Sequence, residues 1–593
     1  MSVFDKYTNY EDLVKASFLE PIRTVTVIDD EYPTFDSLLQ NKNDKKPVDI
    51  QRLQKVISLC RNENNNWQLD VYDGQEKGNI PVRHFHQSDL LILDYHLDGN
   101  DSEGRCEKTL KIINELSSNL HFNMILVHTN GHSGNLDSVI LDIICCLQKA
   151  PEINNMSESD SKIIDEALDE WMDEDNDIID RLIASLDNFS FLKIIREYGR
   201  DYREYSIDNS ILELQEFNYI YRSKPKDVEI NYLLLLGWIF SKKNEKMISD
   251  GFFSTESAMN LEWEKKVETN WIKTDSVFIT VVHKRDDVEE LPNKLCEALM
   301  DWMPHPHYLL LNRLKMILDN EGSSIINKII DKKYLQAHWF RDVFSSDEDI
   351  LPSKIWTLIN NHLEELSYIT KEDLSNYTRK MIEIINIKEP SLKEQFELDD
   401  YDKNKHEIIL HVNCFNCSKS VEGQHLITGH IIKIDNDYWL CTTPACDLVP
   451  DRKTNDDLSK NQPIKIRLMK LHSVDCSTSK KMEKMLKKIN DKKVVFIKEL
   501  GDNKITSLGV VSDIYSSNQS PVVEKFYVSN QGKFDDINTK LLLFRTRIDL
   551  EGIPVSQQVE GRVVAQLRYE YALNYLRSVG EYYSRIGLGY ISF

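Results

Sequence analysis

Residues 89–99 read DLLILDYHLDG, and Asp94 closes an apolar run, Leu90 to Leu93, that reads as a buried strand. A lone buried carboxylate is costly, so Asp94 belongs at the strand's end, ionised and facing a partner. In isolation such an aspartate is most simply a strand-terminating turn residue. Three other runs change that reading. Thr24 to Ile28 (TVTVI) ends in Asp29 and Asp30, Asn123 to His128 (NMILVH) ends in Thr129, and Val277 to Val282 (VFITVV) ends in His283 and Lys284. Ligands of an open parallel sheet gather outside the carboxyl ends of its strands, so Asp29, Asp30, Asp94, Thr129 and Lys284 are expected to converge on one crevice.

Their chemistry is coherent. Three carboxylates cannot crowd one pocket without a cation, and oxygen ligands with open water positions suit Mg²⁺. A carboxylate beside such a metal can act as a nucleophile and form an aspartyl-phosphate. The metal and a lysine ammonium would neutralise charge on the transferring phosphoryl oxygens. A hydroxyl such as that of Thr129 can hydrogen-bond the attached phosphoryl and move toward it, giving a two-state readout.

The elements that must position these groups alternate strand, helix, strand, helix, strand up to Thr129, the rhythm of a parallel α/β sheet. Helical patterns run to Leu59, from Gly104 to Ser118 and from Leu136 to Leu147. A stretch of about 145 residues then interrupts the sheet signal, too long for a bare loop and so expected to be folded. Within it, Glu158 to Asp175 carries nine acidic residues against one lysine, with Ile163, Ile164, Ala167, Leu168 and Trp171 at helical spacing. That is the pattern of a solvated amphipathic helix. Another helix is expected from Val288 to Trp302, further helices over 308–385, and a charged linker at Glu394 to His406. From Glu407 onward the pattern is of short strands (EIILHV, HIIKI, YWLC, IKIRLM, KVVFIKEL, KLLLFRTRI) closed by a helix over Gly561 to Val579.

The expected architecture is an α/β, doubly wound, five-stranded parallel sheet over 1–303, with a helical insertion at about 131–275. A helical connector at 304–400 and a β-rich α+β domain with a closing helix at 405–593 follow. Composition agrees with folded domains of ordinary kind: 41% of the residues are hydrophobic and 29% charged. The 73 basic against 97 acidic residues give a net charge of −24, which argues against general nucleic-acid binding. The longest apolar run, Tyr232 to Phe240, is too short to span a bilayer. The amino-terminal residues lack the basic and apolar segments of a signal peptide, and ten cysteines in so long a chain do not suggest a disulfide scaffold. A cytoplasmic protein without membrane contact is expected.

VIDDEY, LLILDYHLDG, LVHTNG and VVHK resemble, in order, the blocks of the response-regulator receiver domain, over roughly 20–130 and 275–303. The resemblance implies a flavodoxin-like fold in which Asp94 is the phosphoacceptor, Asp29 and Asp30 the acidic pair, Thr129 the switch hydroxyl and Lys284 the phosphoryl contact. It also implies Mg²⁺ held by the three aspartates and the backbone carbonyl of His96, and a sensor histidine kinase as donor. Three positions depart from the pattern: Asp98 stands where proline is usual, Arg285 follows the lysine, and Val281 occupies the aromatic switch position. The inserted receiver, followed by TPACDLVP and SRIGL, is similar to proteins of bacterial anti-phage phosphorelays of the Detocs type. That similarity implies a phosphate sink with slow self-hydrolysis beside a second, toxin-bearing response regulator. A regulator with a phosphorylation-controlled carboxyl-terminal effector, and a scaffold with a degenerate receiver, are the alternatives.

Other candidates are weaker. Cys414-x2-Cys417 and Cys441-x4-Cys446, 23 residues apart, have the spacing of a loose four-sulfur zinc site. Cys446-Asp447 lacks a histidine partner for nucleophilic catalysis. His84-x-His86 and His305-x-His307 read as structural or surface residues. Arg562, Arg568 and Arg577 read as a solvated or dimer-facing stripe on the last helix.

Overall fold

The computed structural model describes residues 7–583 apart from 40–45, 64, 75–86, 98–103, 120, 154–156, 199–211, 254–259, 331, 346–350, 389–400, 422, 449–462, 476–480, 482–493, 500–503, 512–520 and 535–538. His84, His86, Asp98 and the SRIGL segment lie outside the described residues. The chain divides into two compact units, one of residues 1–320 with 372–388, the other of 321–371 with 389–593. The border therefore runs inside the helices Pro306–Ile330 and Leu351–Lys388 of the expected connector.

The first unit is built on a seven-stranded sheet. Its strands are β1 (Thr24–Ile28), β2 (Gln68–Tyr72), β3 (Leu90–Leu93), β4 (Asn123–Thr129), β5 (Glu262–Lys265), β6 (Asn270–Lys273) and β7 (Val277–His283). They lie in the order β2-β1-β3-β4-β7-β6-β5. The first five in that order run parallel, and the hairpin β5–β6 adds an antiparallel edge. The register aligns the carboxyl ends: Ile28 pairs with Leu93, Leu93 with Val127, and Thr129 with His283.

Side chains alternate across this sheet, as strand geometry requires. Leu91, Leu93, Ile125, Val127, Ile279 and Val281 enter one core, while Val25, Val27, Leu90, Ile92, Leu126 and Phe278 enter the other. Helix α1 (Pro47–Arg61) and, later in the chain, helix Leu291–Trp302 cover the second face. Helices α2 (Glu107–Ser117) and α3 (Leu136–Cys146) cover the first. The inserted helices continue that same core through Ile164, Leu168, Trp171, Phe191, Leu235 and Phe240, so the insertion is packed onto the sheet. In the acidic helix Glu158–Met172 the buried stripe is Ile164, Ala167, Leu168 and Trp171, with Ile163 turned outward at 47% exposure.

The second unit carries β8 (Ser418–Lys419), β9 (His430–Ile434), β10 (Asp437–Cys441), β11 (Ile464–Ser473), β12 (Val494–Lys498), β13 (Ile505–Val510), β14 (Val523–Val528), β15 (Lys540–Ile548) and β16 (Pro554–Leu567). β10 pairs with both β9 and β11, which closes β9, β16, β15, β14, β11 and β10 into a barrel-like ring. Trp439, Phe526, Leu468 and Leu543 belong to one core of this sheet.

Two expected elements change type here. EIILHV is not a strand; it lies in the helix Tyr401–Cys417, whose Leu410, Cys414 and Cys417 recur at helical spacing against the core that includes Phe496. Gly561 to Leu567 belongs to β16, and the last helix begins only at Tyr569. A Cβ at Gly561 would lie 2.8 Å from Ile432 Cγ2 and 2.9 Å from Leu543 Cδ1, so glycine is what the neighbouring strands allow. The three arginines accordingly form no helical stripe: Arg562 is on the strand, Arg568 donates to the Phe415 carbonyl at 2.7 Å, and Arg577 pairs with Glu581 at 2.7 Å.

Ile125 is wholly buried on the central strand β4. Ile125→Ala is expected to cost about 2–5 kcal/mol, read as a lower urea midpoint with an unchanged slope; an unmoved midpoint would remove it from the core.

Candidate phosphoacceptor site

Asp94 follows β3 directly, and its amide donates to the Ile28 carbonyl at 2.8 Å, which draws it alongside Asp29. Asp29 caps its own turn, its Oδ1 accepting the Glu31 amide at 2.9 Å. One strand further over, the Lys284 amide donates to the Thr129 carbonyl at 2.9 Å. The backbone pairing of four strand ends thus sets the site.

At its centre is one ammonium group. Lys284 Nζ lies 2.9 Å from Asp94 Oδ2, 3.0 Å from Asp29 Oδ2 and 2.9 Å from Glu31 Oε2. Asp94 is 5% exposed and Lys284 7%. Ligand atoms of Asp29, Asp30 and Asp94 lie within 4.8 Å of one another, and all three residues are buried. Among the described residues no other cluster of acidic, histidine or cysteine side chains is so placed. Crowded, buried, all-oxygen donors fit a hard divalent cation such as Mg²⁺.

Thr129, fully buried, ends β4, and its Oγ1 accepts the Gly131 amide at 3.2 Å. The His96 amide lies 3.4 Å from Asp94 Oδ1. Asp89, at the other end of β3, is different in kind: its Oδ2 accepts from the Arg23 amide and from the Thr24 amide and hydroxyl, which fastens the start of β1.

Glu31 is the site residue that sequence reasoning passed over. It shares Lys284 and also faces Arg52, at 3.5 Å. The run Asp29-Asp30-Glu31 was its one signal, since a third acid beside the pair needs its own partner. The four cysteines offered for zinc are not brought together. Cys417 belongs to one core of the second unit's sheet and Cys441 to the other, Cys414 is half-buried, and Cys446 is exposed beside Asp447. His305 serves the start of the helix Pro306–Ile330, its carbonyl accepting the Tyr308 amide at 2.8 Å.

The electrostatics follow from burial. Asp94 is pushed up to about 8, by burial first and by the neighbouring Asp29 charge second, against the pull of Lys284. Burial also raises Asp29. Burial works to raise Glu31 as well, yet Lys284 outweighs it and holds that carboxyl low. Burial disfavours the Lys284 ammonium, but Asp94, Asp29 and Glu31 hold it above the usual lysine range.

A carboxyl raised on folding contributes stability that is full below its ordinary value near 3.8 and is lost as pH rises through about 8. In chelator, the thermal midpoint of the wild type is therefore expected to fall between about pH 5 and pH 8 relative to Asp94→Asn, which has no proton to lose. Mg²⁺ at the higher pH should raise the wild-type midpoint, because it binds the folded chain. A difference between the two proteins that stays flat across this window would contradict the burial argument.

Residues 21–181 match the family described as the response receiver domain. The match takes in Asp29, Asp30, Asp94 and Thr129 and ends before Lys284, which returns on β7 beyond the insertion. No curated protein and no solved structure matches the chain. Among the described residues no helix is long and apolar enough to cross a membrane. The family match points to phosphoryl acceptance in two-component signalling, where receiver domains take phosphate from histidine kinases and bind Mg²⁺ in an acidic pocket; it supports a response-regulator receiver protein.

Proposed function

We propose that this chain accepts a phosphoryl group from a sensor histidine kinase onto Asp94, within a receiver of residues 1–303 interrupted at about 131–275. The observation that carries the reading is the single Lys284 ammonium within 3.0 Å of both Asp94 and Asp29. In the transfer, an Asp94 carboxylate oxygen forms the P–O bond as the P–N bond to the donor's imidazole breaks. Lys284 is then placed to pass from carboxylate pairing to the incoming phosphoryl oxygens, which carry more charge. Asp29, Asp30, Asp94 and the His96 carbonyl would hold Mg²⁺, which when bound screens the phosphoryl oxygens. Thr129 would hydrogen-bond the attached group. Arg52 keeps Glu31 paired when Lys284 turns away, so that carboxylate is not left alone.

The finer reading is a phosphate sink in an anti-phage phosphorelay, supported by the sequence resemblance. The alternative is a response regulator whose second unit, which has its own sheet and cores, is an effector under the receiver's control. Toxicity of a phosphomimetic form would favour the effector; a neighbouring gene for a separate toxin-bearing receiver would favour the sink.

Kinase-dependent incorporation of labelled phosphate is expected in the wild type and absent in Asp94→Ala. Lys284→Ala should slow it by about 100-fold, the usual order for loss of one charge-stabilising donor. Equal labelling of wild type and Asp94→Ala would remove Asp94 as the acceptor, and no labelling of either would leave the scaffold reading.

A further inference from the structure

Asp142 lies on α3, where Val139, Ile143 and Cys146 around it are buried apolar residues. The carboxylate itself is buried, and a lone charge there would be costly. Its Oδ2 accepts the Tyr95 hydroxyl at 2.7 Å and lies 3.0 Å from His132 Nε2. Tyr95 is the residue after Asp94 and is wholly buried; its hydroxyl also accepts the Cys106 amide at 3.3 Å. His132 is three residues beyond Thr129. A single carboxylate oxygen therefore ties the segment that follows the acceptor to the segment that follows the switch hydroxyl.

The Thr129 segment is stiff. Gly131 has φ +70, and a Cβ there would lie 2.5 Å from the Asn135 carbonyl oxygen. The Gly131 amide donates to Thr129 Oγ1, and His132 and Asn135 exchange backbone hydrogen bonds at 3.1 and 2.9 Å. Movement of the Thr129 hydroxyl toward a group on Asp94 would weaken the bond it accepts from the Gly131 amide, next in chain to His132. The Tyr95, His96 and His132 rings stand edge-on to one another at 5.1–5.4 Å and so pack as one cluster. Energetic coupling between sites is carried by contiguous hydrogen bonds and packed side chains of this kind.

We propose that Asp142 is a positioning residue that holds Tyr95 and His132 together, so that the phosphoryl state of Asp94 is registered by α3 and the inserted helices packed behind it. This rests on the phosphoacceptor reading. It assigns the insertion a role as the responding surface, since α3 and the inserted helices share one core.

The test is amide hydrogen exchange over residues 131–146 of the full chain, with Mg²⁺, before and after addition of acetyl phosphate. Wild type, Tyr95→Phe, His132→Ala and His132→Gln are compared, with phosphate incorporation measured in each. Tyr95→Phe keeps the ring and loses only the hydroxyl, and His132→Gln keeps a donor toward Asp142. The expected result is a change in exchange on phosphorylation of the wild type, its loss in Tyr95→Phe and His132→Ala although both still take up label, and its return in His132→Gln. Persistence of the change in labelled Tyr95→Phe and His132→Ala, or a labelled wild type without any change, overturns the coupling alone. A wild type that takes label neither from acetyl phosphate nor from a histidine kinase overturns the coupling and the phosphoacceptor reading together.

Discussion

One buried ammonium shared by three carboxylates is the constraint from which the rest of the first unit follows. Lys284 and Asp94 are 190 residues apart in the chain and 2.9 Å apart in space. Neither charge could be buried alone, because each would carry an uncompensated desolvation cost. With both buried, β7 returns to the side of β4 after the insertion, and the parallel register that does so also brings Thr129 beside His283. The same burial, with the neighbouring carboxylates second, that makes the carboxyls of Asp94 and Asp29 hard to ionise is what suits the pocket to a cation and to a highly charged phosphoryl group.

The insertion leaves the sheet after its central strand β4 and rejoins it at the far edge, β5. It leaves after β4 through α3 and comes back through the antiparallel hairpin β5–β6, whose second strand pairs with β7. Between these points its helices bury apolar residues against the face that α2 and α3 already cover, so the receiver core and the insertion core are continuous. A phosphoryl-dependent shift at the strand ends would meet the insertion through α3, which shares its core.

The legible parts of this molecule were those where burial dictates residue type. Four β-branched or leucine-rich runs, each ending abruptly in a polar residue, marked β1, β3, β4 and β7 and the five side chains at their ends. β2 was missed because QLDVY buries only Val71, and an edge strand exposed on one side carries no continuous apolar run. The hairpin EWEK and NWIK was missed because neither short strand carries a continuous apolar run: the first buries only Trp263, the second only Trp271 and Ile272. EIILHV was misread because a short apolar run fits either element, and only the later Cys414 and Cys417 disclose the helical spacing. Gly561 looked like a helix start; the crowding of Ile432 and Leu543 that demands glycine there is a tertiary fact. Glu31, Tyr95, His132 and Asp142 stayed hidden because their partners lie on other elements, and no spacing rule pairs them.

The account's central claim, that this cluster makes one carboxylate the nucleophile, is tested most directly by finding where the phosphoryl group sits. An acyl phosphate is reduced by borohydride to the corresponding alcohol, which converts a phosphorylated aspartate into homoserine. Peptide mapping of the kinase-treated, borohydride-reduced protein is predicted to find homoserine at position 94. Homoserine at another aspartate, or a stable phosphate on a hydroxyl or histidine side chain with position 94 unaltered, would contradict it.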